Sequence, residues 1–332
     1  MTNVVILGAG SIGCWIGGHL IAGGANVTLI GRDRYAVDIK RHGLQLSHFE
    51  RPDLGFEAVN FVTDPAALAG ADIIALCVKS QDTATAAQQI LKYAPQAKVV
   101  SFQNGIRNPE TLREFLPSEN IVPAIVPFNV TPTTPGAFHC GTAGALVIES
   151  RPFLKTVTQA LEAGGQPVDM KADILGDQWA KMIVNLNNGL NTLSGGPLKD
   201  GLVQRDYRRA LACCVEEALD IAKRNEVEVG HFNGRSPAAL VKTLRLPDIA
   251  YRFIMNKIVK IDATARSSML DDLEAGRPAE IEFLQGEIMK QAEKKGAAAP
   301  YNSAILEAVL SAFEDGKSPN LSGSAIYALL KK

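Results

Sequence analysis

The hexapeptide Gly8-Ala9-Gly10-Ser11-Ile12-Gly13 stands directly after the apolar run Val4 to Leu7 and opens a segment carrying Trp15, Ile16 and Leu20. That order of parts can hold a phosphate. Gly8 would make a tight turn, Gly10 would let the backbone approach a pyrophosphate, and Gly13 would let helix pack closely on strand. The unpaired N–H groups of the helix start would then donate to the anion. The spacing alone is a weak signal, since a purely structural glycine turn has the same letters, and its force comes from the strand before it and the helix after it. Nineteen residues past Gly13, a second apolar run ends as Leu29-Ile30-Gly31-Arg32-Asp33-Arg34. An acidic side chain at such a strand end binds a ribose 2′-hydroxyl, whereas a guanidinium pairs with a 2′-phosphate. Arg32 therefore predicts NADP, with NADPH as hydride donor, over NAD. The alternative is a solvated Arg32 with Asp33 on the ribose.

Other residues are placed for chemistry. Lys79 follows the run Ile73 to Val78, and Asn104 follows Val99 to Phe102. Both stand where open parallel sheets collect ligands, although each also fits an ordinary loop. Farther on, Lys181, Asn185 and Asn188 share one helical face at i, i+4 and i+7 of a segment otherwise crowded with Trp179, Met182, Ile183, Leu186 and Leu190. A lysine buried there would be costly without a task, and a solvent stripe is the other reading. A second polar cluster contains Ser268 within one helix and Glu280 opening the next, where a carboxylate also suits the helix start.

The elements that position these residues divide the chain in two. In the first half, strand-like runs at 4–7, 27–30, 73–78 and 99–102 alternate with helix candidates near 11–23, 34–42, 83–93 and 109–115, which predicts a doubly wound parallel sheet. Around 121–149, prolines and glycines divide the apolar segments as at a sheet edge with antiparallel turns. Beyond about 172 the pattern is helical, near 174–193, 205–225, 237–245, 250–274, 279–295 and 301–314. The expected fold is α/β: a Rossmann-type domain over 1–172, then an all-α substrate and catalytic domain over 173–332. A hinge near 168–176 would allow the halves to close.

Composition narrows the function. The 34 basic and 35 acidic side chains leave a net charge of -1, which argues against a nucleic-acid or anionic-membrane partner. Hydrophobic residues make up 46% and charged residues 21%, as in a soluble globular protein, so disorder is excluded as the main state. With neither a membrane-length apolar run nor a signal-peptide pattern, a cytoplasmic protein is expected. The five cysteines lack C-x-x-C spacing and the five histidines lack metal-ligand spacing, so no metal is expected.

Taken together, the amino-terminal glycine motif, Arg32, Val78-Lys79, Gln103-Asn104-Gly105, Lys181 with Asn185, Ser267-Ser268-Met269-Leu270, and Arg277-Pro278-Ala279-Glu280-Ile281-Glu282 resemble the ketopantoate reductase (2-dehydropantoate 2-reductase) family over nearly the whole chain. The resemblance implies NADPH-dependent reduction of 2-dehydropantoate to pantoate, as in pantothenate and coenzyme A biosynthesis. It makes Lys181 the general acid and Asn185 a substrate ligand. Ser268 would bind near the substrate carboxylate, Glu280 would sit at the nicotinamide ribose and substrate, and Lys79 and Asn104 would line the cofactor and substrate cleft. Two positions depart from the family pattern, Gly189 and Ala265, where members commonly carry asparagine. They bear on whether the pocket reads the 4-hydroxyl of ketopantoate. The alternatives are reduction of a different branched 2-oxo acid and a non-catalytic NADP-binding regulator. The long apolar helices are compatible with a homodimer.

Overall fold

The computed structural model describes residues 2–258 and 265–331. Two compact units divide the chain at Met1–Ile174 and Leu175–Lys332. In the first, the strands are β1 (Asn3–Leu7), β2 (Asn26–Ile30), β3 (Leu44–His48), β4 (Leu54–Phe56), β5 (Phe61–Val62), β6 (Ile73–Leu76), β7 (Lys98–Ser101), β8 (Ile121–Ile125), β9 (Val130–Pro132), β10 (Ala137–Cys140), β11 (Leu146–Glu149) and β12 (Val168–Lys171). Its helices are α1 (Ser11–Ala22), α2 (Asp33–His42), α3 (Thr83–Tyr93), α4 (Asn108–Arg113) and α5 (Lys155–Ala163).

Eight strands form one sheet in the order β12-β11-β8-β7-β6-β1-β2-β5, parallel except where β11 meets β8. Successive side chains of a strand point to opposite faces, and here both faces are covered. Val4 and Ile6 of β1, with Ile73 and Ala75 of β6, join a core shared with α1 and α5, while Val5, Leu7, Ile74 and Leu76 join a second core with α3 and α4. This is why the central strands read as unbroken apolar runs. The apolar segments of 121–149 do not all edge this sheet as expected: β9 and β10 pair with β3 and β4 in a separate four-stranded sheet. Helix α1 lies between the two. A side chain on Gly17 would strike Leu29 and Ile6, and one on Gly18 would strike Leu46 of the small sheet.

The second unit is helical: α6 (Leu175–Asn185), α7 (Asn187–Ser194), α8 (Leu198–Leu202), α9 (Arg205–Arg224), α10 (Pro237–Leu244), α11 (Asp248–Ile258), α12 (Ser268–Glu274), α13 (Gln285–Glu293), α14 (Pro300–Glu314) and α15 (Gly323–Leu329). The helix expected over 174–193 is broken at Leu186. The one expected over 250–274 is interrupted at 265–267, where Ser267 caps α12 by accepting from the Leu270 N–H; positions 259–264 lie outside the described residues. Arg208 on α9 is fully buried and donates to the carbonyls of Leu202, Val203, Leu244 and Leu246 and to Asp248, so all five of its N–H groups are engaged. Its guanidinium lies 4.1 Å from the centre of the Tyr251 ring. No helix among the described residues is long and apolar enough to cross a membrane.

His19 of α1 is buried, with Nδ1 2.7 Å from the Gly164 carbonyl oxygen, to which the neutral ring donates. Burial, then the nearby Arg51 and His48, push its pKa down to about 4 against that hydrogen bond. Unfolding returns the ring to its ordinary 6.5, so its contribution to stability is complete above pH 6.5 and is lost progressively as pH falls towards 4. A gap of that size is worth on the order of 3 kcal/mol. Urea unfolding at a series of pH values should show stability declining across this window, with a His19→Gln variant showing a shallower decline. An equal slope in the variant would assign the effect to other groups.

Candidate functional site

The glycine turn falls where β1 ends and α1 begins. Gly8 has φ +100, and a Cβ there would stand 2.5 Å from the Val78 nitrogen, so both its backbone angle and the approach of the chain after β6 require glycine. The N–H groups of Gly8 and Ala9 donate to the Ile30 carbonyl at 3.0 and 2.8 Å, fixing the turn to the end of β2. A Cβ on Gly13 would meet the Gly8 oxygen at 2.4 Å, whereas one on Gly10 would meet nothing within 4 Å. The turn is therefore closed on its protein side and open at Gly10. No side chain caps α1, which leaves the first-turn N–H groups of Ser11 and Ile12 for an anion. These features fit a dinucleotide pyrophosphate.

Arg32 is the exposed N-cap residue of α2, and no acidic side chain pairs with it among the described residues. Arg34, by contrast, lies over the Tyr35 ring and donates to its hydroxyl at 3.2 Å. Asp33 opens α2, where the helix dipole favours its charge. Of the two arginines at this strand end, Arg32 is the one whose side chain has no partner among the described residues.

Lys79 and Asn104 are half-buried on the loops after β6 and β7. A buried polar network joins those loops. Asn108 donates to the Asn104 carbonyl at 2.7 Å and to the Ser80 hydroxyl at 3.2 Å, and accepts from Thr83 at 2.8 Å. Gln103 donates to Thr83 at 2.7 Å and to the Val78 carbonyl at 3.1 Å, while accepting from Ser101. Sequence reading missed Ser80, Thr83 and Asn108 here; the available signal was a run of polar residues following apolar strands, which also describes any loop.

In the second unit, Lys181 sits on α6 among buried Trp179, Ala180, Met182 and Ile183 and is only 9% exposed. Burial lowers its pKa to about 8, and the Glu280 carboxylate opposes that fall. Glu280 is half-buried and does not open an α-helix: a 3-10 turn, Ile281–Phe283, follows it, and α13 begins only at Gln285. Asn185 ends α6, so the break at Leu186 separates it from Asn188 on α7. Both are half-buried, as is Ser268, the first residue of α12.

The two departures are filled differently. A Cβ on Gly189 would stand 2.9 Å from Nε2 of Gln285. Ala265 presents its carbonyl to the Leu198 N–H at 2.8 Å. Asn191, close in sequence to Gly189, is fully buried; it accepts from the Ser267 N–H at 2.9 Å and donates to the Gly196 carbonyl at 2.8 Å. It is a strut between α7 and the start of α12.

A doubly wound sheet with a phosphate-type glycine turn, joined in one chain to a helical unit that buries a lysine under a carboxylate's field, defines a two-unit oxidoreductase. Residues 4–152 match the family described as ketopantoate reductase PanE/ApbA, and residues 173–312 match its C-terminal counterpart. The chain belongs to the ketopantoate reductase family. It is 29% identical over 324 residues to a 2-dehydropantoate 2-reductase of Halobacterium salinarum, covering 95% of this chain and 100% of that one. A crystal structure of a PanE/ApbA family ketopantoate reductase from Ralstonia eutropha JMP134 superposes with a TM-score of 0.81 at 29% identity, covering 95% and 99% of the two chains. The same fold occurs in a D-mandelate dehydrogenase solved with NADH and anilino(oxo)acetate, at a TM-score of 0.76 and 21% identity over 95% of this chain and 99% of that one.

Replacing Asn191 with alanine removes the acceptor for a buried N–H. The expected cost is about 1 to 3 kcal/mol of stability in the helical unit. Chemical denaturation of Asn191→Ala checks it, and a stability equal to that of the unsubstituted chain would show that the strut carries no load.

Proposed function

We propose that this chain reduces 2-dehydropantoate to pantoate with NADPH, using Lys181 as general acid. The observation that carries this reading is the buried Lys181 ammonium, held near pH 8 by burial on one side and Glu280 on the other. A group with that pKa is charged at neutral pH yet able to release a proton, as a general acid must be. The chemistry supplied by the bound cofactor is hydride delivery to the C2 carbonyl carbon of a 2-oxo acid. Lys181 then donates its proton to the carbonyl oxygen, and its positive charge stabilises the negative charge that grows there.

The remaining residues bind and orient. Gly8 to Gly13 would hold the pyrophosphate at the α1 terminus, and Arg32 would pair with the 2′-phosphate through charge-assisted hydrogen bonds. Lys79 and Asn104 would line the cofactor and substrate positions. Asn185 and Ser268 would hold the substrate, and Glu280 would serve the nicotinamide ribose and keep Lys181 protonated.

A second reading, a different branched 2-oxo acid as substrate, is favoured by one observation. Neither Gly189 nor Ala265 carries a side chain that could bond a substrate hydroxyl. Comparing kcat/KM for ketopantoate with that for other branched 2-oxo acids decides between the two; a clear preference for an acid lacking the 4-hydroxyl would favour the second.

Two results are expected from variants. Lys181→Ala should lower kcat by roughly 100- to 10,000-fold with little change in NADPH affinity, and in the unsubstituted enzyme reduction should fall as pH rises through about 8, where Lys181 loses its proton. Near-normal turnover by Lys181→Ala would remove the assignment. Arg32→Ala should raise KM for NADPH by roughly 10- to 100-fold while leaving KM for NADH nearly unchanged; an unmoved NADPH value would return the ribose to Asp33.

A further inference from the structure

The apolar pattern over 174–193 is that of one helix, yet the chain breaks at Leu186. Its N–H turns to the Ile183 carbonyl in a tightened last turn, at 3.2 Å. Its carbonyl accepts a hydrogen bond from Nε2 of Gln285 at 2.8 Å, a donor 99 residues away in sequence. Leu186 itself keeps helical backbone angles, so the contact falls on the carbonyl at the junction of α6 and α7.

Gln285 is fully buried, and its Oε1 has no hydrogen-bond partner. A methionine or leucine would occupy similar space without stranding a buried oxygen, which native structures avoid. The polar contact that this side chain does make is its donor bond to Leu186. Leu186 stands five residues after Lys181, and Gln285 stands five residues after Glu280, across a single 3-10 turn. The bond thus ties the segment that carries the lysine to the segment that carries its carboxylate.

Gly189 leaves the room for this bond. A Cβ there would stand 2.9 Å from Nε2 of Gln285, 3.0 Å from Cγ2 of Ile305 and 3.1 Å from Cδ1 of Ile281, the residue directly after Glu280. Even the smallest side chain would press on both the tether and the Glu280 segment. Ile281 and Ile305 are fully buried and have little freedom to yield.

We propose that Gln285 is a positioning residue, which holds Lys181 and Glu280 in their working relation through the Leu186 carbonyl, and that Gly189 is required for it to reach. The proposal rests on the reading of Lys181 as proton donor, but its geometry can be tested without turnover. Among the described residues Glu280 is the charged group that acts on Lys181, so loosening the tether should weaken that carboxylate's effect while burial persists.

The experiment follows the titration of Lys181 in the full-length protein by NMR with isotopically labelled lysine, the signal being assigned from its loss in Lys181→Arg. Gln285→Met keeps the volume and removes the donor; Gly189→Ala keeps the donor and crowds it, and serves if the first variant fails to fold. Both should move the Lys181 titration to lower pH, and Gln285→Met should add no further shift in a Glu280→Gln background. Turnover by Gln285→Met should fall roughly 10- to 100-fold, as for a small misplacement of a reacting group, with KM for NADPH unchanged. A folded variant whose Lys181 titrates as in the unsubstituted protein, or at higher pH, overturns the proposal. Full turnover by Lys181→Ala would instead overturn the general-acid reading, an outcome the titration distinguishes.

Discussion

Burial of one ammonium group is the constraint to which the helical unit answers. A charged lysine loses hydration when enclosed, and the loss favours its neutral form by up to several pH units in a fully apolar site. Lys181 falls only to about 8, because the Glu280 carboxylate restores part of what burial removes. The two effects must be held in proportion. Without the carboxylate the lysine's pKa would fall further; without the burial it would rise back towards its ordinary value. On the helix that carries it, the neighbouring residues Trp179, Ala180, Met182 and Ile183 are buried as well.

The amino-terminal unit answers to a different requirement, the delivery of backbone N–H groups to an anion. A parallel sheet covered on both faces brings the ends of β1, β2, β6 and β7 together, and each end carries one of the residues singled out for binding: the glycine turn, Arg32, Lys79 and Asn104. The close contacts at Gly8 and Gly13 fix that turn from the protein side. The buried network of Asn108, Thr83 and Gln103 does the same for the two later loops. Rigid placement of this kind matters because a loop that must order itself on binding loses affinity to that ordering.

The sequence was most legible where a local pattern alone determines structure. Strands covered on both faces are unbroken apolar runs, and β1 and β2 were recognised to within a residue. The glycine turn was legible because a strand precedes it and a helix follows. Long-range features were not. The small sheet joins β3 and β4 to β10 and β9, from segments some ninety residues apart, by pairings that no single run announces. The bond from Gln285, on another helix, to the Leu186 carbonyl at the junction of α6 and α7 cannot be seen in the segment 174–193 itself. Beside Ser268, Ser267 is the cap of α12, and Asn191, close to Gly189, is bound to its N–H; neither role is visible in the local sequence. Helices α5, α8 and α15 do not stand out in the sequence, because short stretches beside prolines and glycines look like loops.

Under the proposed reaction, the two departures from the family pattern would act on choice of substrate before they act on catalysis. At 189 the space beside the missing side chain holds Gln285, and at 265 the backbone carbonyl is engaged by Leu198. Neither position can offer a substrate hydroxyl a side-chain partner. Under the proposed reaction, polar recognition of the substrate then falls to Asn185 and Ser268. A missing partner is worth about 1 to 3 kcal/mol, roughly 5- to 150-fold in discrimination, whereas a general acid contributes on the order of 100- to 10,000-fold to rate. On that reading small residues at these two sites would relax which 2-oxo acid is preferred and leave Lys181, the proposed proton donor, and Glu280 undisturbed.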